Sequence, residues 1–354
     1  MRLSRAETQE LNRARVLAAA REEFAERGFR DAKIDTIAQR ADLTRGAVYS
    51  NFPGKRALYF AVLADLAARA AAPPSARAGE DLRGSLGALA RAWVTSLAHD
   101  PLHRDFLPEV TADEATRRPF AQLLALDALL LALAMEALDP VTRTPGAPHH
   151  RLSRDAQAVL TTLHGASQLA GAAPGFGEPF DVVSACEQLA GLDLTDWWVP
   201  PAGPPVTRCD APWDPPVGVD LVRDAPVTPG PDGVVVVLGL NRLAAAEDAA
   251  RGGGPVTVAV VTGEPGELAP LARFTVTQLT SCLRQAFPAA AWPRVAVVCD
   301  ETAALARAAG VPAVSDETEV AVRVEAGRVV ARAEGAGAGH AVRAALTPGV
   351  RART

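Results

Sequence analysis

The stretch from Thr44 to Lys55, TRGAVYSNFPGK, combines residue types that suit contact with a polyanion. Arg45 stands at the start of a short helical pattern, and an arginine there can donate two hydrogen bonds to the O6 and N7 atoms of a guanine. Gly46 follows, and its lack of a side chain would let the helix backbone approach a bulky partner. These residues predict contacts with the base edges of double-stranded DNA.

The elements around this stretch place it at the end of a pair of short helices. Leu11–Arg27 is amphipathic and is followed by Gly28, a typical helix stop. Residues 31–43 predict a second helix, and Thr44 can cap a third helix that Pro53-Gly54 ends. Two short helices joined by about three residues form a helix-turn-helix, which presents the start of its second helix to a major groove.

The charge distribution agrees with a DNA-binding N-terminus. The chain carries a net charge of −5, but residues 1–60 hold twelve Lys or Arg against eight Asp or Glu. Residues 61–200 hold ten against seventeen. A basic head on an acidic body suggests that the head meets a polyanion, although a solvated charged face would give the same counts.

Three runs of residues carry a family resemblance: Phe24-Ala25-Glu26-Arg27-Gly28-Phe29, Ile37-Ala38 with Ala41, and Thr44–Lys55. Through them, residues 11–60 resemble the DNA-binding domain of the TetR family of transcriptional regulators. One departure is at Ala32-Lys33, where that family commonly has Ser or Thr at the start of the second helix. Asp31 is the expected cap in its place.

The resemblance implies roles for particular side chains. Tyr49 and Lys55 match family positions that contact phosphate, Tyr49 through its hydroxyl and Lys55 at a helix N-terminus. Phe52, Val48 and Ala47 are expected to be core residues. The complete set of expected DNA contacts is Lys33, Thr44, Arg45, Gly46, Tyr49, Ser50, Asn51 and Lys55.

The residues that follow predict a helical bundle. The apolar run FAQLLALDALLLALAMEAL lies within a predicted helix over 114–138 that is apolar on nearly all faces, and is therefore expected in a core. The resemblance implies that this half binds a small-molecule effector and forms a homodimer through the helices at 153–170 and 179–192. The expected lining of the effector site is Trp93, Phe106, Phe120, Leu124, Met135 and His164, each of which could instead be ordinary core.

The chain changes character after Pro200. Ten of its 28 prolines fall in residues 200–231, which predicts an extended linker. Beyond it, ALARAAGVPAV and VAVRVEAGRVVARAEGA resemble the Pro-loop helix and the terminal hairpin of thioredoxin-like, and in particular peroxiredoxin-like, proteins. The expected order is β-α-β-α-β-β-α.

The C-terminal region lacks the residues for thiol chemistry. Disulfide exchange usually needs a low-pKa thiolate in C-x-x-C after the first central strand, and that strand leads here into LGLNRL. A redox-sensing role for Cys282 or Cys299 stays open as an alternative, as does a docking module for another protein. The glycine-rich ARGGGPV and AEGAGAGHAV do not have the context of a phosphate loop and are expected to be turns.

Taken together, the sequence predicts a multi-domain chain, all-α and then α/β. The expected segments are a helix-turn-helix domain at 1–56, a helical ligand-binding and dimerisation domain at 57–198, a Pro-rich linker at 199–231 and a thioredoxin-like domain at 217–346. The expected function is a ligand-responsive, cytoplasmic repressor that binds a palindromic operator as a homodimer. We expect no enzymatic activity, cofactor, metal or membrane span.

Overall fold

A computed structural model describes residues 4–70, 78–99, 101–139, 151–194 and 198–345. The helices in these ranges are α1 (Arg5–Asp31), α2 (Ile34–Arg40), α3 (Arg45–Asn51), α4 (Lys55–Ala70), α5 (Leu82–His99), α6 (Phe106–Val110), α7 (Glu114–Glu136), α8 (Ser153–Ala172), α9 (Pro179–Leu189), α10 (Ala246–Ala250), α11 (Pro265–Ala286), α12 (Ala304–Ala308) and α13 (Ala338–Ala344). The strands are β1 (Thr207–Pro212), β2 (Gly218–Asp220), β3 (Ala225–Val227), β4 (Gly233–Gly239), β5 (Val256–Val261), β6 (Val295–Cys299), β7 (Glu319–Glu325) and β8 (Arg328–Glu334).

Helices α1 to α3 form the predicted helix-turn-helix, with α1 as the brace. Helix α1 starts at a capping box in which Ser4 and Glu7 satisfy each other's backbone N–H groups. Gly28 leaves helical geometry with φ +71°, so the predicted stop is a kink, and one more turn follows it. Such a φ is cheap for glycine and strained for other residues.

The expected cap of α2 is wrong. Asp31 ends α1, and the cap position of α2 is Lys33, which makes no side-chain capping bond. The Lys33 backbone N–H instead donates to Oε1 of Glu23 at 3.2 Å, and Glu23 is fully buried. A carboxylate from α1 therefore accepts from the N–H of the cap residue itself, whereas a Ser or Thr hydroxyl would accept from an N–H inside the first turn of α2.

Helix α7 contains a long apolar window. By length and composition it could cross a membrane, but 67% of its most apolar window is buried inside the protein. Among the described residues it is the one helix that passes this test. Its burial is that of a core helix in a bundle with α4, α5, α8 and α9.

The C-terminal region contains a six-stranded mixed sheet in the order β1-β8-β7-β4-β5-β6. Strands β4, β5 and β6 are parallel, and their almost continuous burial matches the run of valines predicted for inner strands. Strand β7 runs antiparallel to β4 and forms the predicted hairpin with β8 through Ala326-Gly327, both with positive φ. Besides the elements of the expected order β-α-β-α-β-β-α, the region contains β1, α10 and the small pair β2 and β3.

The segment 199–231 is more structured than a linker. It contains β1, β2 and β3, and β1 is an edge strand of the main sheet. Proline is tolerated there because the outer side of an edge strand needs no N–H donor. Buried Asp220 accepts backbone bonds from Val222 and Val297 and so fixes β2 against β6.

The two halves of the chain share one core. Helix α11 belongs to the sheet region by sequence, yet it packs chiefly against α4, and also against α5 and α7. The Phe274 ring of α11 lies 4.8 Å from Phe106, and both are buried. The C-terminal region is therefore not an appendage, because one of its helices completes the bundle.

Candidate nucleic-acid interface

Helix α3 is set at a defined angle by its cap and its buried face. The Thr44 hydroxyl accepts from the Ala47 backbone N–H at 3.2 Å, as its sequence position predicts. Val48 and Phe52 are buried at 1% and 2% exposure and hold the helix against α1 and α2. The expectation of a core position is confirmed for Val48 and Phe52, whereas Ala47 is only half-buried. The opposite face of α3 is left to solvent.

Arg45 and Tyr49 lie together on that exposed face. Arg45 Nη1 bonds Asp35 Oδ1 at 3.1 Å, and Nη2 donates to the Tyr49 hydroxyl at 3.5 Å. The guanidinium also lies 5.5 Å from the Tyr49 ring centre. The bond to Tyr49 and the charge of Asp35 raise the pKa of Arg45. The pair is charged, exposed and held beside the start of the helix, which is the position from which side chains reach base edges.

Among the described residues, none obstructs a side chain at Gly46. A Cβ atom there would meet only Thr44 Oγ1, at 3.9 Å, among the described residues. Since glycine weakens a helix by about 1 kcal/mol relative to alanine, its presence suits a surface that another backbone approaches closely.

The remaining expected contacts differ in how free their polar atoms are. Ser50 and Asn51 both donate to the Ala47 carbonyl, at 2.9 and 2.8 Å. Lys33 is exposed at the start of α2. Lys55 Nζ donates to the Arg30 and Ala32 carbonyls at 3.0 and 3.2 Å and lies 4.6 Å from the Phe29 ring. The structure thus gives Lys55 a second role, that of tying the end of α1 to the start of α4.

Sequence reasoning missed two side chains that hold the interface in shape. Arg13 of α1 lies 4.6 Å from the Phe52 ring and donates to the Asn51 carbonyl at 3.5 Å. Glu23 meets Arg40 Nη2 and Arg27 Nε, both at 3.3 Å, in addition to its bond to Lys33. The signal for Glu23 was its place on the apolar stripe of α1, where a carboxylate needs buried partners.

Four of the six expected effector-site residues touch in a row inside the bundle. Trp93 lies 5.0 Å from His164, His164 lies 6.2 Å from Phe120, and Phe120 lies 5.5 Å from Phe106. Met135 is buried and Leu124 half-buried in the same core. The sequence did not predict that Phe274 of α11 extends this row.

Burial shifts the pKa values of several titratable groups in the bundle, among them His164 and Asp127. Burial lowers the pKa of His164 to about 4, and it raises the pKa of the Asp127 carboxyl well above its usual range. Asp127 is 1% exposed, and its Oδ1 has no hydrogen-bond partner within the part of the chain that the structure describes. His164 is therefore neutral at pH 7, and burial favours the protonated form of Asp127.

The cysteine thiols have raised pKa values, whereas a redox-active thiol has a lowered one. Burial raises the pKa of Cys282 and of Cys299 to about 12, and that of Cys186 to about 11. All four cysteines are free thiols. A reactive cysteine needs a lowered pKa and access to solvent. Cys186 and Cys282 are buried, whereas Cys299 is partly exposed, so for Cys299 it is the raised pKa that opposes reactivity.

Comparisons with known proteins point to the same N-terminal region. Residues 16–62 match the family model described as bacterial regulatory proteins, tetR family. The HTH-type transcriptional regulator SrpR of Pseudomonas putida is 48% identical over 63 residues, which cover 18% of this chain and 29% of that protein. The uncharacterized HTH-type transcriptional regulator TtgW, also of Pseudomonas putida, is 48% identical over 63 residues, which cover 18% of this chain and 46% of that protein. The chain therefore spans less than half the length of either curated relative.

Two solved structures from Rhodococcus sp. RHA1 are similar over a longer range. A TetR transcriptional regulator covers 52% of this chain and 95% of its own, with 19% identity and a TM-score of 0.29. A TetR-like transcriptional regulator covers 53% and 96%, with 22% identity and a TM-score of 0.31.

Proposed function

Residues 16–62 are a TetR-family helix-turn-helix domain, and from this premise we propose that the whole chain is a sequence-specific transcriptional regulator, a repressor that releases its operator when a small molecule binds. The observation that carries the proposal is the exposed pair of Arg45 and Tyr49 beside Gly46 on a capped recognition helix. On one face of the helix, Arg45 can donate two hydrogen bonds to a base, Tyr49 can donate a hydrogen bond to a phosphate, and the backbone at Gly46 is unobstructed. The rest of the expected contact set lies around it.

A homodimer is part of this proposal. One short helix reads few base pairs, and two half-sites about one helical turn apart multiply the specificity. Support comes from α8, α9 and their connection, where Leu169, Phe176 and Phe180 are exposed at 46%, 75% and 75%. Large apolar side chains that exposed suit burial against a second copy of the chain.

The effector would bind within the bundle, near the row from Trp93 to Phe106. Phe106 lies 6.2 Å from Phe60 of α4, the helix that directly follows α3. A ligand that favours one position of α4 over another would change the spacing of the two recognition helices and so the DNA affinity. The buried aromatic lining favours an apolar effector.

The C-terminal region would be a thioredoxin-like fold without catalysis. Two parallel strands followed by an antiparallel hairpin in one sheet, as in β4, β5, β7 and β8, support that assignment. The raised pKa values of Cys282 and Cys299 weigh against the alternative of a redox-sensing regulator. The region is better suited to support the bundle through α11, in a regulator that works in the cytoplasm and is not an enzyme.

The proposal is tested by selection from a library of genomic DNA fragments. We expect the purified protein to enrich a palindromic site with half-sites about 10 base pairs apart. The logarithm of the binding constant for that site should fall linearly with the logarithm of the salt concentration. The slope should be about −1 for each phosphate that the protein neutralises. Recovery of only unrelated, salt-sensitive fragments would contradict a sequence-specific regulator.

A further inference from the structure

A cavity of about 520 Å³ lies in the C-terminal region, where the chain leaves the bundle and crosses α13. Its walls come from Trp198, the end of α10, the loop Gly252–Gly254, strand β7 and α13. The volume lies within the range of small-molecule sites. The cavity is separate from both the DNA interface and the aromatic row of the bundle.

Three arginines from three different elements line this cavity. They are Arg251 after α10, Arg323 on β7 and Arg343 on α13. Arg251 pairs with Glu247 at 2.6 Å, and Arg323 pairs with Glu325 at 2.8 Å. Burial lowers the pKa of Arg343, and the charge of Arg323 lowers it further. Arg323 and Arg343 are like charges that line the same cavity, so an anion bound there would interact favourably with both.

The glycine loop is built around one of these arginines. A Cβ at Gly252 would come within 2.4 Å of Arg343 Cδ, and Gly253 and Gly254 have φ values of +70° and +75°. Arg343 also donates to the Gly253 carbonyl. The three glycines thus let the loop pass closely around the Arg343 side chain. This packing explains the run of three glycines, for which the sequence pattern predicts only a turn.

An aromatic wall stands beside the cations. The Arg251 guanidinium lies 4.8 Å from the Trp198 ring centre, and His340 contacts that ring edge-on at 5.7 Å. Trp198 Nε1 donates to Asp248 Oδ1 at 3.1 Å, which fixes the ring in place. The indole gives the cavity an apolar side next to its basic side.

We propose that this cavity binds a small organic phosphate whose ring or apolar body lies near Trp198 while its phosphate lies between Arg323 and Arg343. Arginine pairs with phosphate through two parallel hydrogen bonds, which makes a guanidinium pair a selective receptor for a dianion. The competing explanation is that the cluster only anchors residues 198–204 on α13, where Gly203 and Ala341 are closely packed. That explanation requires no ligand.

Calorimetric titration of the full chain separates the two explanations. Phenyl phosphate should bind once per chain, inorganic phosphate should bind more weakly, and phenol should not bind. Arg343→Lys keeps the positive charge but loses the two parallel N–H donors of the guanidinium. We expect it to lower the affinity for phenyl phosphate about tenfold. Arg323→Gln should weaken it similarly and provides a second variant if Arg343→Lys does not fold.

Two controls make the result specific to this cavity. Arg328→Gln removes an arginine that pairs with Asp210 at the hairpin, and it should bind phenyl phosphate like the parent chain. Arg45→Ala should also bind it unchanged, so that failure here is distinct from failure of DNA recognition. No binding of phenyl phosphate, equal binding of phenol, or unchanged affinity in both cavity variants would overturn the proposal.

Discussion

Arg56 Nε donates to Glu267 Oε1 at 2.5 Å, and the same guanidinium pairs with Asp113. Arg56 is the second residue of α4 and directly follows the Thr44–Lys55 stretch. Glu267 is in the first turn of α11, and Asp113 caps α7. Close by, Gly266 packs near Pro53, so that a Cβ there would lie 3.3 Å from the proline ring. The C-terminal region thus contacts the hinge between the recognition helix and the bundle.

Removing the charge of Glu267 should weaken the contact between the start of α4 and the start of α11. Both side chains of the pair are about one-quarter exposed, and a hydrogen bond to a charged group contributes about 1.5–3 kcal/mol when it is protected from water. We expect Glu267→Gln to lower the free energy of unfolding by about 1–2 kcal/mol and to speed amide exchange in the first turn of α4. Urea denaturation and hydrogen exchange measure the two effects.

The matched control is Glu301→Gln, which removes a carboxylate from the more exposed pair with Arg273. It should change stability by no more than about 0.5 kcal/mol. Equal effects of the two substitutions would contradict a bracing role for the Arg56–Glu267 contact.

The bundle should not fold without α11. Phe274 is 1% exposed and contacts Phe106 and His103, and replacing a buried phenylalanine with alanine costs about 3–5 kcal/mol. We expect Phe274→Ala to destabilise the chain by that amount in a single denaturation transition that melts both helices and sheet. Val217→Ala, at a 71% exposed position, should have little effect on folding.

A chain that ends at residue 198 tests the same point more severely. It would leave the faces of α4, α5 and α7 that α11 covers open to water, and we expect it to aggregate or to remain partly unfolded. A soluble fragment with a cooperative transition as stable as that of the full chain would show that the two halves are independent.

His164 should make the protein less stable in acid. Its pKa is about 4 in the fold and about 6.5 in an unfolded chain, so the unfolded state takes up the proton first as the pH falls. The unfolding free energy should therefore drop between pH 6.5 and pH 4, by about 3 kcal/mol in all from this residue. In His164→Gln this part of the decrease should be absent, so the difference between the two chains should vary across that window. A difference that stays constant would contradict the assignment.

Oxidation should not control DNA binding. At neutral pH the Cys282 and Cys299 thiols stay protonated, since burial raises their pKa to about 12. After mild peroxide treatment, mass spectrometry should find both thiols unmodified and the DNA affinity unchanged, while unfolding the chain should expose them to alkylation. Sulfenic acid on either thiol, together with altered DNA binding, would support the redox-sensing alternative.

Much of the fold could be predicted from local sequence patterns. The Thr44 cap, the strand Val256–Val261 and the hairpin turn at Ala326-Gly327 are determined by residues within a few positions of one another. The stretch proposed to read DNA could also be identified from neighbouring residues, because the start of a helix and its exposed face follow from sequence spacing. These features needed no knowledge of distant contacts.

Features that depend on distant residues were not predictable. The apolar pattern of α11 shows that the helix is buried, but it does not say that α4, rather than only the adjacent sheet, covers it. The buried Glu23 replaces a cap that the sequence placed at Asp31, and this substitution is visible only once α1 and α2 meet. The cavity at Arg343 joins residues from Trp198 to Ala344, so its glycines looked like an ordinary turn.

The most direct measurement compares the affinity of Arg45→Ala and Arg69→Ala for the selected operator at one salt concentration. Arg69 is an exposed arginine at the far end of α4, 68% exposed and paired with Asp65. We predict that Arg45→Ala loses about 1–3 kcal/mol of binding for each half-site and tolerates base changes at the contacted position, whereas Arg69→Ala binds like the parent. Equal affinities for the two variants would contradict the claim that the Thr44–Lys55 stretch reads DNA.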